Sequence, residues 1–321
     1  MSRKTLKKCK NKLNKLNKRN TVKNHKKIVK ELKPISYQQL KSDYEKLKGI
    51  SCALQKKLSK RSRIGNNVVD SFTLEERLHS KGDQGISFFD FWLCKDEFAE
   101  KPYVKKMINF YSSRNTGLLR KYRYIYNLYF SNISIFSPLR AMDIYCKVNA
   151  KRVLDFTMGW GGRLVGACAH NLDAYYGVDI NKNLKGPYKK MVSFLESDKD
   201  NVTKIKVLFK DALTVDYSKM DYDCVLTSPP YYNTEVYRGT NQAKYKTKGD
   251  WNKKFYRQLF SKTHKHLKSG GYYCLNVNTE IYKEVCLPLF GKYTKRFEMK
   301  KEERKKGQSK YKEYVYCWKK N

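Results

Sequence analysis

Residues 227–231 read Thr-Ser-Pro-Pro-Tyr, and they follow Cys224-Val-Leu-Thr227, a short apolar run with the character of a buried strand. A hydroxyl, two successive prolines and an aromatic ring make a corner with a defined chemistry. The Pro-Pro step fixes φ twice and removes two backbone donors, so it holds neighbouring oxygens rigidly. Two rigid acceptors suit an amino group conjugated to an aromatic ring. Such a nitrogen is a poor nucleophile because its lone pair is delocalised. Acceptors on both of its N–H groups pull it toward tetrahedral geometry and free that lone pair. Ser228 Oγ supplies one acceptor and the Pro229 carbonyl the other. Pro230 stiffens the corner, and Tyr231 offers a flat face to a base extruded from its stack. Taken as a bare five-residue word, the same string is also an ordinary turn.

A second constellation lies upstream. Asp155-Phe156-Thr-Met-Gly159-Trp-Gly161-Gly162 follows the apolar run from Arg152 and precedes a helical stretch, Arg163 to His170. Glycines there let the backbone turn sharply and approach a ligand, while a helix start presents free N–H groups. A nicotinamide, a flavin or S-adenosylmethionine fits such a turn equally well. Asp179 ends the next strand, where its carboxylate can take both hydroxyls of a ribose, or simply cap a helix.

In this order the segments resemble the amino-methyltransferase family, whose catalytic motif is D/N/S-P-P-Y/F/W at the end of the fourth strand. The resemblance covers about residues 136–318. It implies a class I methyltransferase, Rossmann-like core that holds S-adenosylmethionine at Asp155, Phe156, Gly159, Gly161, Gly162 and Asp179. Asp211-Ala212 corresponds to the acidic position that binds the adenine amino group of the cofactor. Phe136-Ser137 ahead of Pro138 resembles the segment that closes over its methionine end. Lys268-Ser-Gly-Gly271 matches the turn into the fifth strand. Two departures stand out. The chain has Asp155-Phe156-Thr157 where the family commonly has Asp-Pro-Phe, and Ser228 where many members have aspartate. Serine is commoner on cytosine-N4 enzymes and aspartate on adenine-N6 enzymes, so the base is open.

The resemblance implies direct methyl transfer to an exocyclic amino group in DNA. Its relatives with Asn-Pro-Pro-Tyr act on guanine in RNA or on glutamine in proteins. A nucleic-acid-binding protein that keeps the fold without catalysis is the non-enzymatic reading.

The elements that must position these residues form a doubly wound, mostly parallel α/β sheet. From residue 136, helical and strand patterns alternate, closing with two extended runs, Thr294 to Met299 and Lys312 to Trp318, that pair antiparallel. Ahead of this catalytic region (136–321), residues 1–35 read as a Lys-rich tail, extended by self-repulsion and disordered. Residues 36–63 read as one amphipathic helix, capped by Ser36 with Gln39 and interrupted only by Gly49, in which Tyr37, Leu40, Tyr44, Leu47, Ser51, Leu54 and Leu58 make one stripe. Residues 64–135 read as a helical accessory subdomain. In it Tyr111, Arg114, Arg120, Tyr122 and Arg123 either stack on bases and neutralise phosphates or form a packing interface. The loop Thr234–Asp250, with Tyr237, Arg238, Lys244, Tyr245, Lys246 and Lys248, reads as a basic groove lining or a plain connection.

Lys and Arg number 69 against 30 Asp and Glu, a net charge of +39, and residues 1–30 carry thirteen basic residues and no acid. Such an excess points to a polyanionic partner, nucleic acid first. The nine cysteines include no CxxC pair and read as reduced intracellular thiols. His264 and His266 diverge on a helix, so no metal site is expected. With no apolar run of membrane-spanning length and no secretory signal, the expectation is an intracellular protein, cytoplasmic or nuclear.

Overall fold

The computed structural model describes residues 8–9, 11, 18–55, 62–82, 85–131, 133–232, 235–236, 245–299 and 313–321. Seven strands form one sheet: β1 (Arg152–Asp155), β2 (Ala174–Val178), β3 (Lys204–Leu208), β4 (Cys224–Thr227), β5 (Tyr272–Val277), β6 (Lys295–Met299) and β7 (Glu313–Lys319). Their order is β3-β2-β1-β4-β5-β7-β6. The first five strands run parallel, and β7 lies antiparallel between β5 and β6. This is the doubly wound, Rossmann-like layout with an antiparallel C-terminal pair that the sequence implies.

The inner strands are apolar on both faces, as a sheet covered by helices requires, while the edge strands β3 and β6 alternate with exposed residues. Val153, Tyr175, Cys224, Leu226, Cys274 and Cys317 point into one core. Leu154, Val225, Tyr273, Leu275 and Tyr316 point into the other. Strand order reverses between β1 and β4, so a crevice at their carboxyl ends is the expected ligand position.

The larger helices are α1 (Lys18–Leu32), α2 (Tyr37–Lys48), α3 (Asn66–His79), α4 (Phe88–Leu93), α5 (Pro102–Ser112), α6 (Leu118–Tyr129), α7 (Pro138–Val148), α8 (Gly162–Ala169), α9 (Lys185–Glu196) and α10 (Gln258–Lys265). Helices α7, α8 and α9 cover the first face. Buried Leu40, Tyr44 and Leu47 of α2 and Val68 and Val69 of α3 join the same core. A π-helical segment, Asn252–Arg257, leads into α10 on the second face.

Two expectations for the N-terminal third change. From Lys18 the basic segment is helical, and His25 and Ile28 are buried beside Leu74 and Phe89, with the His25 ring stacked 3.9 Å from that of Phe89. Burial of one face offsets the charge repulsion that favours an extended chain in isolation. Most of residues 1–17 lie outside the described residues. At Gly49, the expected interruption, the helix ends outright, with the Gly49 N–H capping α2, and a short turn, Cys52–Gln55, follows; the capping box of Ser36 and Gln39 is present, and Leu58 lies outside the described residues.

The reading of all nine cysteines as free thiols is corrected. Cys9 is bonded to Cys94 and Cys52 to Cys146, while Cys168, Cys224, Cys274, Cys286 and Cys317 are free and buried. The bonded pairs are 85 and 94 residues apart. Only the packing of N-terminal segments on the body brings them together, and local spacing carries no trace of that. His170 joins the second pair: its Nε2 is 3.7 Å from Cys146 Sγ, and ligand atoms of Cys52, Cys146 and His170 lie within 4.8 Å of one another. The disulfide occupies both sulfurs. No helix among the described residues is long and apolar enough to cross a membrane.

Candidate active site

The two corners singled out in the sequence lie side by side, because β1 pairs directly with β4. Thr227 Oγ1 donates to Asp155 Oδ1 at 2.8 Å. Its one hydrogen is thereby used, so in the 2.6 Å contact with Thr157 Oγ1 the latter is the donor. This short chain of bonds fastens the turn after β1 to the corner after β4.

Asp155 is fully buried, and its partners are all protein groups. Besides Thr227 it accepts from Arg163 Nε at 2.7 Å and from the Tyr175 hydroxyl at 2.7 Å. Burial works against the Arg163 charge, but the Asp155 carboxylate overrides it and holds the guanidinium pKa above its ordinary value. Arg163 also donates to the Thr157 carbonyl at 2.6 Å. Asp155 thus braces the glycine turn from beneath. Phe156 is fully buried too, packed against Phe260 and Tyr273 in the second core.

The glycines divide by what surrounds them. A Cβ on Gly162 would lie 1.8 Å from the Phe136 carbonyl oxygen, and one on Gly161 2.7 Å from Met191 Sδ, so packing demands both. Gly159, at φ +54°, is different: a Cβ there would meet only the Thr157 carbonyl, at 3.9 Å, and the space beside it is open. Its N–H donates to Asp179 Oδ2 at 2.9 Å, and Asn181 N–H donates to Asp179 Oδ1 at 2.8 Å. Each Asp179 oxygen keeps a lone pair for a further donor. Burial raises the Asp179 pKa, a shift the two backbone bonds only partly reverse.

Asp211 caps the turn beginning at Ala212, accepting from Leu213 N–H at 3.0 Å. Ala212 is buried in the second core. Phe136 lies against the glycine turn, its ring 5.1 Å from the Arg163 guanidinium carbon. Ser137 Oγ is shielded from solvent and has no hydrogen-bond partner among the described residues. Open space at Gly159, spare acceptors on Asp179 and this unsatisfied hydroxyl fit a bound polar cofactor.

At the second corner, Ser228 Oγ donates to Asn276 Oδ1 at 3.1 Å. The amide is oriented by its other end, since Asn276 Nδ2 donates to the Tyr314 carbonyl at 3.1 Å. Asn276 is 3% exposed. The Tyr256 hydroxyl donates to the Pro230 carbonyl at 2.6 Å. The Pro229 carbonyl accepts no hydrogen bond among the described residues, and Tyr231 is half-buried against the second core.

No family model and no curated relative matches the chain. Solved structures do. TrmN from Thermus thermophilus is similar at 16% identity and a TM-score of 0.40, over 57% of this chain and 49% of that one. An rRNA methylase from Streptococcus thermophilus is similar at 13% identity and 0.38, over 59% of this chain and 100% of that one. A complex of aTrm5 with tRNALeu is similar at 15% identity and 0.38, over 60% and 48%. The chain thus spans about half the length of the first and third.

Sequence reasoning missed several residues that build the site. Thr227, Tyr175 and Tyr256 act through contacts 20 or more residues apart in the chain, and Arg163 through contacts to Asp155 and Thr157 eight and six residues back. Asn276 left one signal: it is the sole strongly polar side chain in Tyr272-Tyr-Cys-Leu-Asn-Val277, and a polar group buried in an apolar strand needs a partner. Thr73 of α3, fully buried, shares its hydroxyl hydrogen between the Val69 carbonyl at 2.9 Å and the Trp160 carbonyl at 3.1 Å, so the accessory region touches the glycine turn itself. Beyond the corner, Glu235–Val236 pairs antiparallel with Lys81–Gly82. Tyr237, Arg238 and Lys244 of the expected basic loop lie outside the described residues, whereas Tyr245 is buried against Trp251.

Proposed function

We propose that the chain is an S-adenosylmethionine-dependent methyltransferase acting on an exocyclic amino group of a base in DNA, cytosine N4 or adenine N6. The observation that carries this reading is the Ser228–Asn276 bond. With its hydrogen committed to Asn276, the Ser228 hydroxyl can only accept, which is what a conjugated amino group needs in order to become nucleophilic. The unengaged Pro229 carbonyl serves as the second acceptor, and the exposed part of the Tyr231 ring takes the flipped base.

Gly159, Asp179, Asp211 and Ser137 would hold the cofactor: Asp179 through the ribose hydroxyls, Asp211 through the adenine amino group and Ser137 at the methionine end. When bound, it supplies an electrophilic sulfonium methyl. The protein orients the amino nitrogen, and its two acceptors strengthen their hold as that nitrogen gains positive charge. The corners being hydrogen-bonded neighbours supports their working as one site. The net charge of +39 supports a nucleic-acid substrate and a salt-sensitive affinity.

The test is methylation with labelled cofactor of DNA and RNA in parallel, digestion to nucleosides and mass detection of the label. Label on an amino nitrogen of a DNA base, lost in Ser228→Ala/Tyr231→Ala, is expected. Label in RNA alone would transfer the reading to that polymer, and label on a ring carbon would end the mechanism.

A further inference from the structure

Helices α5 and α6 form an antiparallel hairpin, with Tyr103 4.8 Å from Tyr129 and Tyr111 5.1 Å from Tyr124, ring centre to ring centre. Their inner side is well packed: Val104, Leu119, Tyr122, Ile125 and Tyr126 join the accessory core. Their outer side is not. Phe110 (43% exposed), Leu118 (55%), Tyr124 (47%) and Leu128 (53%) are four of the eight large hydrophobic side chains exposed among the described residues. The Arg114 guanidinium lies over the Phe110 ring at 4.2 Å, and the Tyr111 and Tyr124 rings are inclined by only 33°.

The charge around these rings is of one sign. Residues 101–131 contain seven Lys or Arg and no Asp or Glu. Arg123 turns inward toward the rings of Phe88 and Tyr126, but Lys105, Lys106, Arg114 and Arg120 stay exposed. A face with flat rings interleaved with cations, and no anion, fits unpaired bases joined by phosphates. A second copy of the chain fits poorly, because a two-fold contact would set this basic face against itself.

The hairpin is also rooted at the site. A Cβ on Gly82 would lie 2.4 Å from Ser131 Cβ, just beyond the end of α6, and Gly82 pairs with Glu235, four residues after Tyr231. At about 1.5 Å per residue, Tyr124 stands about 10 Å along the helix from that root.

We infer that the outer face of the α5–α6 hairpin is a docking surface for single-stranded nucleic acid, its bases stacking on Phe110 and the Tyr111–Tyr124 pair and its phosphates meeting Arg114 and Arg120. The inference rests on nucleic acid being the substrate, but not on methyl transfer. The surface holds the unpaired flank of a substrate beside the corner that receives the target base.

The test is fluorescence anisotropy of the full chain, without cofactor, on a labelled thymidine oligonucleotide and on a duplex of equal length at moderate salt. Phe110→Ala/Tyr124→Ala is expected to weaken single-strand binding about tenfold or more while changing duplex binding little. Phe110→Leu/Tyr124→Leu, which keeps apolar bulk, is expected to show the same loss. Thymine carries no exocyclic amino group and the assay holds no cofactor, so this reading stands or falls separately from the catalytic one. Unchanged single-strand affinity, an equal loss on both ligands, or a dimer in sedimentation that the aromatic variants abolish would overturn it.

Discussion

Asn276 Oδ1 receives the Ser228 hydroxyl hydrogen at 3.1 Å while Asn276 Nδ2 is held by the Tyr314 carbonyl. The backbone of β7 thereby fixes the amide, and the amide fixes the direction in which Ser228 presents its lone pairs. A serine hydroxyl is otherwise free to rotate into a donor, which would repel an approaching amino group's acceptor-seeking hydrogens. Asn276→Ala is expected to lower kcat by roughly 5- to 150-fold, the equivalent of about 1–3 kcal/mol, with cofactor affinity unchanged. Adding Ser228→Asp should recover part of the loss, since a carboxylate accepts whichever way it turns. Single-turnover kinetics on the single and double variants would show this, and a double variant no faster than Asn276→Ala would argue that Asn276 only fills space.

The pairing of Asp155 with Arg163 makes a different forecast from the sequence. Although the motif suggests a cofactor contact for Asp155, the carboxylate is fully buried and accepts from Arg163, Tyr175 and Thr227. Asp155→Ala leaves a buried guanidinium uncompensated and is expected to cost about 3–5 kcal/mol in denaturant unfolding. Replacing Arg163 by Met in the same chain should restore part of that stability. A variant of unchanged stability that had lost only cofactor binding would return Asp155 to the ligand.

Gly159 and Gly162 should separate in the same way. Gly162→Ala forces a methyl group into the Phe136 carbonyl and is expected to destabilise the fold strongly or prevent folding. Gly159→Ala meets no neighbour and is expected to cost only about 1–2 kcal/mol for its left-handed backbone, while its methyl group projects into the space left for the cofactor. Thermal melts with isothermal titration of S-adenosylmethionine would test both. Comparable melting losses would contradict the assignment of Gly159 to the open side.

The pH dependence of cofactor binding follows from Asp179. Burial raises its pKa above the ordinary 3.8, so the carboxylate takes up its proton earlier as the pH falls. Protonation removes the negative charge that favours two ribose hydroxyls. Affinity is expected to hold at neutral pH and to fall on acidification at a pH above the usual carboxylate range. The same sign applies to folding: a raised native pKa means that protonating Asp179 favours the folded chain, so the loss cannot come from unfolding driven by this group. Calorimetric titrations between neutral pH and the onset of acid unfolding would reveal the trend. Affinity flat across that range would remove Asp179 from the cofactor site.

How far the sequence reached differs between fold and site. β4 and β5 begin and end where their apolar runs do, because a buried strand between turns leaves a sharp edge in composition. The antiparallel pairing of the last two runs was legible for the same reason. Local chemistry at Ser228 and Gly159 was legible because proline and glycine act on the backbone where they stand. What was not legible depends on contact across the chain. Neither the engagement of Asp155 by residues up to 72 positions away nor the bond from Cys52 to Cys146 leaves a local mark. The inward turn of Tyr122 and Arg123, beside outward-facing Tyr124, needed the phase of α6, which composition alone does not set.

The hydroxyl that α3 lodges against the Trp160 carbonyl has a consequence for dissection. Thr73 sits within a core shared by the accessory helices and the sheet, so a fragment begun at residue 136 would strip an apolar wall from α8 and leave the nucleotide-side loop without its brace. The N-terminal third is therefore a structural buttress as well as an appendage. Transplanting or deleting it would unmake the sheet region rather than merely remove an outer surface.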